Sequence, residues 1–174
     1  MLSLKGKYIA LRGLEPTDLD FLYELENNTE IWEISGTTAP YSKHVLELYL
    51  DNAHRDIYDV KQLRLCICNP EGRAVGLIDL FDFDPKNFRA GIGIVILDKG
   101  NRNQGLGAEA IQLVSDYAFE VLNIHQLYAN VIEGNSPSIH LFRKMGFEEV
   151  GLKKDWIFSN GTYKNEILFQ KINT

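Results

Sequence analysis

The stretch "NRNQGLGAEA", residues 101–110, sets Gly105 and Gly107 one residue apart at the head of an alanine-rich helical pattern, with Arg102 three positions before the first glycine. Beyond it Ala110, Ile111, Val114, Tyr117, Ala118, Val121 and Leu122 recur at helical spacing. The apolar runs "AGIGIVIL" before the loop and "QLYANVI" after the helix read as strands. A strand, a helix and a strand in that order predict a parallel strand pair. Four readings of the loop compete. A glycine-rich surface turn is the plainest. A nucleoside-triphosphate loop is excluded because no Gly-Lys-Ser/Thr follows. Gly105, Gly107 and Ala110 satisfy G-x-G-x-x-A, but a dinucleotide turn belongs directly after the first strand of an alternating fold, and here residues 98–104 intervene. In the fourth reading the loop is an anion cradle. Glycines let main-chain N–H groups approach an anion, and the unpaired amides and dipole of the following helix favour negative charge.

Working outward, "KYIALRGL" reads as a short strand and "EPTDLDFLYELEN" as a helix opened by Pro16, with Leu19, Phe21, Leu22 and Leu25 apolar. "SKHVLELYLDNAHRDI" predicts a second helix with Val45, Leu46, Tyr49 and Leu50 on one side. "QLRLCIC" alternates strictly, "NPEG" turns, "AVGLIDLFDF" returns and "DPKN" turns again into "AGIGIVIL", an antiparallel meander. "SPSIHLFRKM" is a short helix stopped by Gly146, and a hairpin turning at Asn160-Gly161 follows. The fold class expected is α+β, a mixed and mostly antiparallel sheet with flanking helices, in one domain over residues 1–174.

Composition narrows the function. The chain has 174 residues, 45% hydrophobic, with a formal net charge of −6. An acidic balance argues against nucleic-acid binding and suits a cationic small molecule or peptide. No apolar run approaches the ~18 residues of a membrane helix, and the opening "MLSLKGKYIA" lacks a signal peptide's apolar core, so the cytoplasm is the expected compartment. Cys66 and Cys68 alternate on one strand and read as reduced core thiols; with the scattered histidines they give no metal-ligand spacing, and no metal is expected.

A pyrophosphate fits the cradle, Arg102 adds a fixed positive charge, and the long lead from the strand leaves room for an extended arm hydrogen-bonded to strand backbone. Coenzyme A has both parts. Arg102-Asn-Gln-Gly105-Leu-Gly107 resembles the R/Q-x-x-G-x-G/A loop of the GCN5-related N-acetyltransferase superfamily, and "NSPSIHLFRKMGF" is similar to its second motif. Likeness is strongest to the branch of spermidine acetyltransferases and ribosomal-protein N-terminal acetyltransferases, through "ELENN", "DYAFEVLNIHQLYANV", "SIHLFRKMGF" and "FSNGTYKN". The resemblance implies a sheet whose parallel strands splay to admit acyl-CoA. It sets the pantetheine arm against the backbone of Val95 and Leu97, and the pyrophosphate on the amides of Arg102, Asn103, Gln104, Gly105, Leu106 and Gly107. Asn135 and Ser138 would line the opposite wall, with Phe142 near the sulfur and Lys144 near the nucleotide phosphates. Asn135 is equally a helix cap, and Lys144 equally a solvated side chain.

The implied chemistry is acetyl transfer from a thioester to a primary amine. An ammonium of pKa ~10.4 is no nucleophile, so the site must remove a proton and stabilise the carbonyl oxygen, while a thiol of pKa ~8.5 leaves tolerably. Asp79, Asp82 and Asp155 are candidate bases. Asp79 and Asp82, three apart, are expected on opposite faces, so Asp82 is also assigned with Glu30 and Glu33 to an acidic mouth for a polyamine; Glu26 shares that "LENNTEIWE" cluster. Family members commonly carry a tyrosine acid where this chain has Phe142. Water or Tyr163 then protonates the thiolate, the thiolate leaves unassisted, or the chain is a non-catalytic acyl-CoA sensor. A polyamine such as spermidine is the first substrate expectation and a protein N-terminus the second. Family members form dimers and larger rings, so a homo-oligomer is also expected.

Overall fold

A computed structural model describes residues 2–97, 100 and 105–174. Strands β1 (Ala10–Arg12), β2 (Leu63–Cys68), β3 (Ala74–Asp84), β4 (Arg89–Ile96), β5 (Gln126–Ile132), β6 (Glu148–Ser159) and β7 (Thr162–Ile172) form one sheet in the order β1-β2-β3-β4-β5-β7-β6. The meander is antiparallel, as the alternation requires, and so are β5 with β7 and β7 with β6. Among the described residues only β4 and β5 run parallel. Their pairing covers Arg89↔Gln126, Ala90↔Leu127 and Gly91↔Tyr128, although both strands continue well past it. The mixed sheet with a splayed parallel pair is thus present.

Period-two alternation gives the sheet two different faces. Ile78 and Leu80 of β3, Ile92 of β4, Leu127, Ala129 and Val131 of β5, and Ile167 and Phe169 of β7 join a buried cluster under α5 (Leu106–Glu120) and α6 (Ser136–Lys144). Leu77, just before them on β3, belongs to a second cluster with Leu22 and Leu25 of α1 (Leu19–Glu26) and Leu46 of α3 (Lys43–Asp51). Short helices α2 (Trp32–Ser35) and α4 (Ile57–Val60) have no counterpart in the sequence reading. The helix expected over 42–57 ends at Asp51, because Asn52 turns its side-chain amide onto the Leu48 carbonyl at 2.8 Å and Asp56 caps a new helix by accepting from the Asp59 amide. Leu46 is the residue that α3 buries, while Val45 is 47% exposed.

Two local devices set the path of the chain at the splay. Gly91, in the last parallel pair, lies under the Phe81 ring: a Cβ there would sit 2.3 Å from ring carbons. Phe81 in turn meets Tyr128 edge-on at 5.9 Å. Just beyond, a register shift between Phe81 and Asp84 puts Asp82 at φ 48°, a bulge that bends β3. At the start of α5, Gly105 adopts φ 78°. Gly107 serves packing as well, since a Cβ there would lie 3.2 Å from Leu141 Cδ2 on α6. Glu109, in the first turn of α5, accepts from the Tyr8 amide at 2.9 Å and the Ile9 amide at 3.1 Å, strapping the start of the chain onto that helix.

Asp18 locks the entry to α1. Its carboxylate accepts from Arg12 Nη1 at 2.8 Å and Nη2 at 2.9 Å, and from the Glu15 amide at 2.7 Å. The Arg12 hydrogen bonds hold the carboxyl below the usual carboxylate range despite its burial. A carboxyl depressed on folding contributes stability above its unfolded value of about 3.9 and loses it as pH falls through the folded value. Asp18→Asn is therefore expected to cost about 2–3 kcal/mol at pH 7. It should also flatten the loss of stability below pH ~4, as read by urea denaturation at pH 7 and pH 3.

Candidate active-site groove

A groove of about 660 Å³ runs between α1–α3 and the sheet and reaches α6 through the gap between β4 and β5. That volume suits a small molecule. Ile92 to Val95 form one side of the gap and Asn130 to Ile132 the other. The Leu97 amide donates to the Val75 carbonyl at 2.9 Å. Residues of an antiparallel ladder alternate in the neighbour to which they turn their backbone groups, so Val95, paired with Leu77, also faces β3. The sequence reading set an extended arm on the backbone of Val95 and Leu97. That is corrected by one residue: Val95 and Leu97 turn their backbone groups to β3, and by the same alternation Ile94 turns its own toward the gap.

The first intrahelical bond of α5 is Glu109 N to Gly105 O at 3.1 Å, so the amides of Leu106, Gly107 and Ala108 precede the helix's own ladder. Arg102, Asn103 and Gln104 lie outside the described residues. On α6, Asn135 caps the helix by accepting from the Ser138 amide at 3.4 Å, and both residues line the groove. Phe142 also lines it. Its ring stacks on Phe169 at 6.2 Å and meets Phe147 edge-on at 5.1 Å, which fixes its orientation and leaves it 4% exposed. Lys144 sits exposed in the last turn of α6, away from the groove lining.

The opposite part of the groove is ionic. Arg64 of β2 donates to both oxygens of Asp79, at 2.8 and 3.0 Å, and to Glu26 Oε1 at 2.9 Å. Burial opposes the Arg64 charge, but the two carboxylates outweigh it and hold the guanidinium above its ordinary value. Its carbon lies 5.6 Å over the Tyr49 ring, and burial pushes the Tyr49 phenol up, keeping it a proton donor. Across the gap Glu166 of β7 pairs with Lys153 at 2.7 Å, and Lys153 also donates to Asn130 Oδ1 at 3.1 Å. Glu33 is bound by Lys164, whose hydrogen bond holds the Glu33 carboxyl below the usual range.

Of the three residues assigned to catalysis from sequence, only Asp79 reaches the groove. Asp155 is exposed at φ 50° in a β6 bulge, its amide bonded to Asn165 Oδ1 at 2.9 Å, and Tyr163 is 63% exposed beside Phe158. Neither lines the groove, because the long hairpin carries both beyond it. Of the acidic mouth, Glu33 lines the groove, whereas Glu30 and Asp82 are exposed and outside it; the bulge removes Asp82 from the simple alternation used to place it. Sequence reasoning missed Arg64, Tyr49 and Glu166. A lone arginine in the apolar strand "QLRLCIC" was the available signal, since a half-buried guanidinium demands anionic partners.

The acetyltransferase (GNAT) domain model matches residues 9–148. The spermidine N(1)-acetyltransferase of Escherichia coli is 33% identical over 159 residues, covering 91% of this chain and 83% of that protein. Among solved structures, the Vibrio cholerae spermidine N-acetyltransferase in complex with CoA and spermine superposes with a TM-score of 0.85 at 27% identity, over 94% of this chain and 95% of that one. A dodecameric structure of spermidine N-acetyltransferase from the same organism gives 0.78 at 29% identity, over 94% and 93%. Matched over most of its length by the domain model and by these relatives, this chain belongs to the GNAT acetyltransferase family.

Proposed function

We propose that the protein transfers an acetyl group from acetyl-CoA directly to a primary amine of a polyamine such as spermidine. The observation that carries the substrate class is the ion cluster at the groove: Glu26 and Asp79 share the single cation Arg64, leaving one negative charge where an ammonium would approach. The activity of the spermidine acetyltransferase relatives supports the same reading. Acetyl-CoA supplies an activated thioester. Its arm is assigned to the gap-facing backbone of Ile94 beside the Val95 side chain, its pyrophosphate to the loop from Arg102 through Gly105 and the amides of Leu106, Gly107 and Ala108. Asn135 and Ser138 bound the arm on the other side.

The groove must also deprotonate the amine. Asp79 has both oxygens committed to Arg64, so it works as fixed counter-charge rather than as a direct base, and the proton leaves through water held at the Glu26–Arg64–Asp79 cluster. Asp155 and Tyr163 receive no role in the groove of one protomer. A homo-oligomer belongs to the same proposal: a Vibrio cholerae relative is dodecameric, and the exposed Trp156, Phe158 and Tyr163 give the β6–β7 hairpin an apolar surface. So does a cytoplasmic setting, in which the Cys66 and Cys68 thiols stay reduced; the Cys68 thiol donates to Cys66 Sγ at 3.9 Å and the two form no disulfide.

Phe142 favours one alternative, a non-catalytic acyl-CoA sensor, because a phenyl ring has no proton for the departing thiolate. Thiol release with a panel of amines separates the readings: spermidine as acceptor supports a polyamine enzyme, peptide N-termini alone would redirect it to protein substrates, and acetyl-CoA binding without thiol release would select the sensor. Phe142→Tyr is expected to raise kcat about a hundredfold, the lower end of what a positioned acid contributes. An unchanged kcat would show that thiolate protonation does not limit turnover.

A further inference from the structure

Glu166 is buried to 9% exposure, lines the groove, and has no part in the assignments above. Its neighbours on β7, Ile167 and Phe169, belong to the cluster beneath α5 and α6. Alternation therefore turns Glu166 to the other face of the sheet, the face that also carries Asp79 between Ile78 and Leu80. In register Asp79 stands beside Gly93 of β4, and Glu166 beside Ile132 of β5. The two carboxylates thus flank the open gap from opposite sides. They differ in what they have left to give. Asp79 has both oxygens on Arg64, whereas Glu166 uses Oε1 for Lys153 and its Oε2 has no hydrogen-bond partner among the described residues. Nor is Oε2 sealed from solvent: among the described residues the buried side-chain polar atom left without a partner is Ser115 Oγ. Lys153 is held back by its second contact, to Asn130 Oδ1, and by the Trp156 ring 4.8 Å away. Lys164, two residues along the same face, is engaged by Glu33.

Resting on the polyamine reading, we infer that Glu166 determines specificity: its Oε2 receives a second ammonium group of the substrate while the reacting amine lies nearer the Arg64 cluster. A carboxylate has acceptor sites for two cations, so Lys153 and the substrate share Glu166. Lys153 then limits the affinity, because it repels the incoming charge. Two variants are expected to move affinity in opposite directions, which an ion pair that merely holds β6 to β7 would not do.

The test measures kcat and KM by thiol release for wild type, Glu166→Gln and Lys153→Met, with spermidine and with butylamine as acceptors, each protein first checked by thermal melting. Glu166→Gln should raise the spermidine KM about tenfold, the loss of one charged hydrogen bond, and the butylamine KM much less. Lys153→Met should lower the spermidine KM about threefold. A spermidine KM unaltered by Glu166→Gln, a shift of the same sign in both variants, or equal shifts for the two amines would overturn the inference while leaving the acetyltransferase reading standing. Wild-type protein that acetylates neither amine would overturn that reading itself, and the inference with it.

Discussion

The interaction on which the rest depends is the contact of the Phe81 ring with Gly91 beneath it and Tyr128 beside it, where β4 and β5 stop pairing. A sheet gains by pairing every backbone group, and two parallel strands that begin together would ordinarily continue together. Here the bulky ring needs the space that a side chain at position 91 would fill, and the strands part immediately after. The parted strands expose backbone, and exposed backbone is what an amide-bearing ligand can bind. Everything functional in this molecule is arranged around that withheld pairing.

The two faces of the sheet divide the remaining work. Beneath α5 and α6 the contacts are almost wholly apolar, and they fix the helix start at Gly105 against α6, closely enough that Gly107 nearly touches Leu141. Precision there costs little, because dispersion and burial act without direction. On the other face Arg64, Asp79, Glu26, Lys153 and Glu166 sit partly out of water, each with a partner of opposite charge. Buried charges are expensive unless paired, and pairs of this kind are weak contributors to stability but strong selectors of what binds next to them.

Much of the architecture was legible in the residues, and the reasons are physical. Strict alternation in "QLRLCIC" and the helical recurrence from Ala110 to Leu122 reflect burial on one side, which the sequence records directly. The family was legible because its loop motif sets glycines at fixed positions, here Gly105 and Gly107. The ionic part of the groove was not. Arg64 and Glu26 lie on elements far apart in the chain, and their pairing follows from tertiary placement alone. Asp82 was misplaced by a bulge, which shifts the parity of a strand without an unambiguous mark in composition, and Asp155 by the length of the hairpin that carries it beyond the groove. The one-residue error at Val95 and Leu97 has a similar origin: side-chain alternation says which face a residue covers, not which neighbour its amide addresses.

The strap formed by Glu109 and the amides of Tyr8 and Ile9 carries a consequence for the whole chain. A carboxylate one turn into the helix whose opening amides are assigned to a pyrophosphate would, if bare, repel that anion. Two backbone donors from the polypeptide's leading end blunt the repulsion. If the helix start holds the phosphate as proposed, release of Tyr8 and Ile9 from Glu109 and loss of that phosphate are thermodynamically linked.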